Sequence, residues 1–435
     1  VITVLGEEHG SSAPLSNGPH QALLARAALV LGARRHLDAA QVPADRALPL
    51  GPLAPALDAV AALVERAPDA DVLVLASGDP GFFGIVRALA ERFGPGALNV
   101  HPGVSSVARA FARLGVPWDD AIVVSAHGRD PHPAFAVCRA QRKVAVLTAP
   151  GAGPAELGAA LAAIPSSGPA DGWQRRMVVA ADLGGPDESL VTVTPAEAAS
   201  RDWPTVNLVL CLADTTPVGP AMRSVAGYSG PPHGGWALAE DAFEHRDAML
   251  TKAEVRAFAL ARLGPRLGEL VWDIGAGSGS VTVECARLGA AVVAVERDAD
   301  GVQRVRANAR AHGVDHAVAV VHGSAPAALA DLPEPDAVFV GGGGADLPAI
   351  VAAACTRARR TVVVTLAALD RVPEARRALL DAGFRCDGVQ LQANRLAPLP
   401  GDSVRLAATN PVFVLWGRRP PLTEPSTANP TGAPS

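Results

Sequence analysis

The chain has 435 residues, 49% of them hydrophobic and 19% charged, with 38 Lys and Arg against 43 Asp and Glu for a formal net charge of −5. That length fits two or three domains, each able to bury a core, and the composition excludes a fibrous, collagen-like or wholly disordered chain. Slight acidity without a basic run also excludes the electrostatic footprint of phosphate-backbone binding, so no nucleic acid is expected as a partner.

Short apolar runs bounded by Gly, Pro and Asp alternate with Ala/Leu/Arg stretches of helical period, the rhythm of α/β folding. Strands are expected at 1–5, 72–75, 121–124, 144–147 and 177–181, and helices at 53–66, 84–92 and 104–114, all within a first domain at 1–214. From 215 the periodicity fades into Thr215-Thr216-Pro217 and Ser229-Gly230-Pro231-Pro232-His233-Gly234-Gly235, which reads as a linker reaching 248. A second α/β block covers 249–418, opening with an amphipathic helix at 251–263 and a strand at 269–274. Residues 419–435, rich in Pro, Ser, Thr and Ala, cannot bury enough surface to order themselves and read as a disordered tail. The cysteines (Cys138, Cys211, Cys285, Cys355 and Cys386) form no Cys-x-x-Cys pair, so they predict no metal and read as small buried apolar residues of a reducing compartment. No apolar run approaches the roughly 20 residues of a membrane span. A soluble, cytoplasmic protein without a membrane partner is expected.

In the second block, Val271-Trp272-Asp273-Ile274-Gly275-Ala276-Gly277-Ser278-Gly279 is a buried strand entering a glycine turn, and a helix follows at 280–287. Such glycines let the backbone turn tightly and approach a ligand. A second strand at 291–295 carries Glu296 at its tip, about 20 residues after the first glycine, where an acid can accept hydrogen bonds from ribose hydroxyls. Asp273 can order the turn and help hold a cationic amino-acid end. Position 280 is Ser, so the further glycine that a pyrophosphate requires is missing. The pattern therefore favours a sulfonium methyl donor, S-adenosylmethionine, over a dinucleotide. Further along, a strand at 318–322 leads into Gly323-Ser324-Ala325-Pro326, and a fourth opens onto Gly341-Gly342-Gly343-Gly344.

In the first block, Ser77-Gly78-Asp79-Pro80-Gly81-Phe82-Phe83-Gly84 ends a strand and begins a helix, and His101-Pro102-Gly103-Val104-Ser105-Ser106 repeats that arrangement. Singly, each is an ordinary capped turn. Together they resemble the tetrapyrrole methylase fold, built of two α/β subdomains, in its CbiE-like branch. Gly32-Ala33-Arg34-Arg35-His36-Leu37, Val124-Ser125-Ala126-His127-Gly128-Arg129 and Asp182-Leu183-Gly184-Gly185-Pro186-Asp187-Glu188 match the same branch. The second block is similar to CbiT-like class I, Rossmann-like methyltransferases through Phe243-Glu244-His245, Leu250-Thr251-Lys252-Ala253-Glu254-Val255-Arg256 and the glycine turn. Joined in this order, the halves resemble the fused CobL-type methyltransferases of cobalamin synthesis.

The resemblance implies two methyl transfers from S-adenosylmethionine to a corrinoid precursor. One is at C5 by the first domain; the other, at C15, falls to the second, with loss of the ring-C acetate carboxyl. Donor contacts implied by the family fall on Ser77, Gly78, Asp79, Phe82, Ser105 and Ser106, and on Thr251, Gly275, Ala276, Gly277, Ser278, Gly279, Glu296 and Ala325. Methyl transfer to carbon needs alignment and exclusion of water rather than a nucleophilic side chain. A polyacidic substrate calls for arginines, with Arg34, Arg35 and Arg129 as candidates. Decarboxylation can use a protonated ring imine as its electron sink, with His245 as a candidate acid and Lys252 as a candidate for steering carboxylates. Glu7 and Glu8 stand where the family's first turn brings backbone to a ligand. They leave open a version in which only the second domain is catalytic and the first holds the tetrapyrrole. A class I methyltransferase for another small molecule is a further alternative. Self-association into a homo-oligomer through apolar helix faces is expected.

Overall fold

A computed structural model describes residues 1–7, 19–164, 173–213, 226–227, 235–246 and 250–420. The expected tail from 421 onward, Glu8 and most of the expected linker lie outside the described residues.

The first half forms two sheets. In the first, β1 (Ile2–Glu7), β2 (Leu29–Gly32), β3 (Ala47–Pro49), β4 (Val72–Ser77) and β5 (Leu98–His101) run parallel in the order β3-β2-β4-β1-β5. Their centres are apolar on both faces, as a parallel sheet between helices requires. Ile2, Val4, Val72 and Val74 pack against the helix Leu53–Arg66, and Leu5, Leu73 and Leu75 pack on the opposite side with Leu37. The second sheet is mixed: β6 (Ile122–Ser125), β7 (Lys143–Leu147), β8 (Arg175–Ala181), β9 (Ser189–Val193) and β10 (Asn207–Ala213), ordered β6-β7-β10-β8-β9. Two α/β subdomains result, as the motifs imply.

The second half is one seven-stranded sheet, β13-β12-β11-β14-β15-β19-β16. Its parallel part comprises β11 (Leu270–Ile274), β12 (Ala291–Glu296), β13 (Val318–His322), β14 (Ala337–Gly341) and β15 (Thr361–Leu366). Antiparallel β16 (Arg385–Leu391) and β19 (Val412–Arg418) extend one edge, and β17 (Asn394–Pro398) with β18 (Val404–Ala408) forms a separate hairpin between them in sequence. Sheet order reverses at β11, so a crevice opens outside the carboxyl ends of β11 and β14, where open α/β sheets bind ligands. Four cysteines are buried and Cys386 is half-buried; all five are free thiols. Among the described residues no helix is long and apolar enough to cross a membrane.

Residues 235–246 of the stretch read as a linker are bonded into the second half, whereas the Gly227 amide donates to Asp119 O of the first half at 2.7 Å. The amides of Ala237 and Leu238 donate to Glu284 at 3.0 and 2.8 Å, and Asn308 exchanges two hydrogen bonds with the backbone of Glu244. Low hydropathy periodicity hid this because the segment is held by polar side chains of the helices beneath it and by two separated apolar residues, Leu238 and buried Phe243, rather than by a periodic apolar face.

Candidate functional site

A cavity of about 1050 Å³ lies at the carboxyl ends of β11, β12, β14 and β15. Thr251, Asp273, Gly275, Ala276, Gly277, Ser278, Glu296 and Ala325 line it, together with the Gly341 to Gly344 run. The eight residues come from distant parts of the chain because the loops leaving the carboxyl ends of successive parallel strands share one edge, where Thr251 before the helix Ala253–Leu263 joins them.

Glu296 is 8% exposed, and each carboxyl oxygen accepts one backbone amide: Gly277 N at 2.8 Å and Asp298 N at 2.9 Å. The first bond ties the tip of β12 to the glycine turn after β11. Each oxygen keeps a further lone pair for a ligand hydroxyl. Asp273 is buried, and its Oδ2 accepts the Thr282 hydroxyl at 2.5 Å while Oδ1 has no hydrogen-bond partner among the described residues. Burial pushes the Asp273 carboxyl up to about 6, against the downward pull of Thr282. A lone anionic oxygen on a cavity wall suits a cationic group, so the residues fit the amino-acid end of a sulfonium donor.

Gly279 has a packing role beside the turn. It is absent from the cavity wall and adopts φ +75°, and a Cβ there would lie 3.1 Å from Val305. Its hydrogen atom allows the helix Ser280–Arg287 to start tightly against the helix Ala299–Ala311. Ser278 Oγ instead sits near the Ser280 amide at 3.4 Å, and the Ser278 carbonyl accepts Asn308 Nδ2 at 2.8 Å.

Lys252 lines the cavity and pairs with Glu240 at 3.0 Å. His245 is exposed and is not on the wall; its neighbour Arg246 is. Arg246, Arg297 and Arg304 contribute cationic groups that sequence reading passed over, since isolated arginines in loops (Arg246, Arg297) or on a helix (Arg304) carry no spacing signal. Below them, Arg256 and Glu284 form a fully buried ion pair at 3.1 Å. Arg256 also donates to the Thr251 carbonyl at 2.7 Å and to that of Leu238, and it stacks 4.8 Å from the Phe243 ring centroid. This network was equally hidden, because the two residues lie on helices far apart in sequence and only folding brings them together.

In the first half, Ser77, Gly78, Asp79, Phe82, Ser105 and Ser106 gather at the carboxyl edge of β1, β4 and β5. The Gly78 amide donates to Glu7 O at 2.8 Å and the Gly103 amide to Gly78 O at 3.0 Å. Gly6 is required here, since a Cβ would stand 2.0 Å from Gly78 O. Asp79 Oδ1 accepts the Gly81 amide at 2.8 Å, and Ser105 caps the helix Ser106–Leu114 by accepting the Ala108 amide at 3.1 Å. Phe82 is exposed. Arg34 and Arg35 follow β2 at the same edge, and Arg35 donates to Ser77 Oγ at 3.0 Å. Arg129 belongs to the second sheet's loop after β6, next to Asp130, which pairs with Arg359 of the second half at 2.7 Å.

Family models match both halves: residues 21–199 match the tetrapyrrole (corrin/porphyrin) methylases, and residues 241–413 match a precorrin methyltransferase domain. A Sinorhizobium precorrin-6Y C(5,15)-methyltransferase [decarboxylating] is 37% identical over 79% of this chain and 79% of its own length. The protein of the same name from Mycobacterium tuberculosis is 34% identical, covering 74% of this chain and 75% of the relative. A probable cobalt-precorrin-6B C(15)-methyltransferase (decarboxylating) from Pyrobaculum calidifontis is 37% identical over 41% of this chain and 93% of itself. Spanning both halves in one order, this chain belongs to the family of the decarboxylating precorrin-6Y C(5,15)-methyltransferases.

Proposed function

We propose that the chain methylates a precorrin at C5 and C15 from S-adenosylmethionine and removes the ring-C acetate carboxyl. The first half carries the C5 transfer; the second carries the C15 transfer and the decarboxylation. The observation that supports the reading most is the second-half cavity, where Asp273, the glycine turn and Glu296 share one wall. When bound, S-adenosylmethionine supplies a methyl group already activated by its sulfonium. The chain's residues then bind and align: Glu296 takes the ribose hydroxyls, Asp273 the ammonium, and Gly275 to Ser278 admit the donor close to the backbone. Arg246, Lys252, Arg297 and Arg304 at the wall hold substrate carboxylates, while Arg34 and Arg35 do so in the first half.

Purified protein given the hydrogenated precorrin-6 substrate and methyl-labelled donor is expected to add two methyl groups and release one carbon dioxide, read by mass spectrometry. No incorporation, under conditions in which a known homologue turns over, would defeat the reading. We further propose a cytoplasmic homo-oligomer, for which sedimentation of the full chain tests the assembly.

A further inference from the structure

We propose that Glu7 is the proton acceptor of the first half, taking the hydrogen that leaves the ring carbon as that carbon is methylated. The proposal rests on the reading of the first half as the C5 methyltransferase. Glu7 ends β1 and pairs in register with Ser77 at the end of β4. Register partners of parallel strands project to the same face, so carboxyl and hydroxyl stand together at the edge that carries the donor motifs. Ser77 Oγ is engaged by Arg35 Nη2 and His36 Nε2, both at 3.0 Å. Glu7 Oε1, by contrast, is buried with no hydrogen-bond partner among the described residues.

An unpartnered buried carboxyl oxygen costs stability, and a packing role would not need it. A general base needs such a free lone pair. Among the described residues, the charged and titratable groups around this edge are Arg34, Arg35 and His36 after β2, Asp79 after β4 and His101 at the end of β5. Burial pushes the Glu7 carboxyl up to about 7, while Arg35 pulls it down. At neutral pH it therefore both accepts and releases a proton, and it presents a polyacidic substrate with less fixed charge than an ordinary glutamate.

The step balances as follows: the donor's sulfur–methyl bond breaks with its electron pair left on sulfur. A π pair of the ring carbon forms the new carbon–carbon bond, giving the macrocycle one positive charge. The C–H bond at that carbon returns its pair to the ring, and the proton passes to Glu7 and on to solvent.

Full-length Glu7→Gln and Glu7→Asp proteins, assayed with the same substrate and labelled donor, test this. In Glu7→Gln the C5 rate is expected to fall by about 10²–10⁴-fold, with the C15 rate and the donor dissociation constant unchanged. Glu7→Asp, which keeps a carboxyl, should recover part of the rate. The wild-type C5 rate should fall as pH drops below about 7, a limb the Gln protein should lack. Without turnover, difference infrared titration from pH 5 to 8 should show one carboxyl fewer protonating in Glu7→Gln than in the wild type, the Asp273 signal near 6 remaining in both. An unchanged C5 rate and pH profile in Glu7→Gln overturns the proposal alone. A wild-type protein that methylates C15 but never C5 overturns the two-methylation reading as well.

Discussion

Asp273 is a carboxyl whose ionisation the fold opposes and a cationic ligand favours. Its raised value, about 6 against 3.8, makes the ligand-free protein relatively most stable where the group is protonated. That contribution is fully present below pH 3.8 and is lost as pH rises through about 6. The shift corresponds to about 3 kcal/mol in order of magnitude. A bound ammonium reverses the preference. Donor affinity, measured by calorimetry, is therefore expected to weaken up to about tenfold per pH unit below 6. Asp273→Asn should bind more weakly at neutral pH and lose that pH dependence, while resisting heat at least as well as the wild type without ligand. Glu296→Ala should raise the donor dissociation constant by about tenfold to a hundredfold, through the lost hydroxyl contacts and the freed Gly277 amide. The C5 transfer should be unaffected.

At the scale of elements, the glycine turn is held from below. The Arg256–Glu284 pair and Asn308 bind the 235–246 segment, the Thr251 carbonyl and the Ser278 carbonyl to the helices under the cavity. Breaking one member of a fully buried pair leaves the other uncompensated, at a cost of about 3–5 kcal/mol. Glu284→Ala is expected to destabilise the second half by that amount in urea titration. It should also weaken donor binding, although Glu284 does not line the cavity. Arg256→Lys should fail to rescue the packing, because an ammonium cannot reach Glu284, Leu238 and Thr251 together as the guanidinium does.

Across the whole molecule, the second sheet of the first half docks on the second half. Trp173 Nε1 donates to Ala317 O at 3.3 Å, and buried Arg175 donates to His316 O at 2.8 Å as well as to Cys138 O and Arg139 O. His132 Nε2 meets Asp336 Oδ2 at 2.8 Å, and Trp173 shares a core with Leu270 and Trp272. Exposed pairs such as Arg359–Asp130 are screened by salt, but these buried contacts are not. A protease site placed within 214–225 and cut in the folded protein should leave the halves co-eluting in gel filtration, even at about 1 M salt. Trp173→Ala should let them separate, given the about 3–5 kcal/mol that such a truncation costs.

Local periodicity and turn chemistry determined much of this protein by themselves. The helix Leu53–Arg66 and the strands around the glycine turn follow from patterns that span a few residues, and so do the motif residues at the strand ends. The hairpin β17–β18 and the antiparallel edge strand β16 carry weak local signals, because their residues are exposed or half-buried without a clear apolar face. Tertiary structure alone decided that Gly279 packs against Val305, that Arg246 rather than His245 reaches the cavity, and that burial moves the Glu7 and Asp273 carboxyls up from their usual range. Those outcomes depend on which side chains arrive from distant strands and how much water they exclude, and neither quantity is written in the spacing of neighbouring residues.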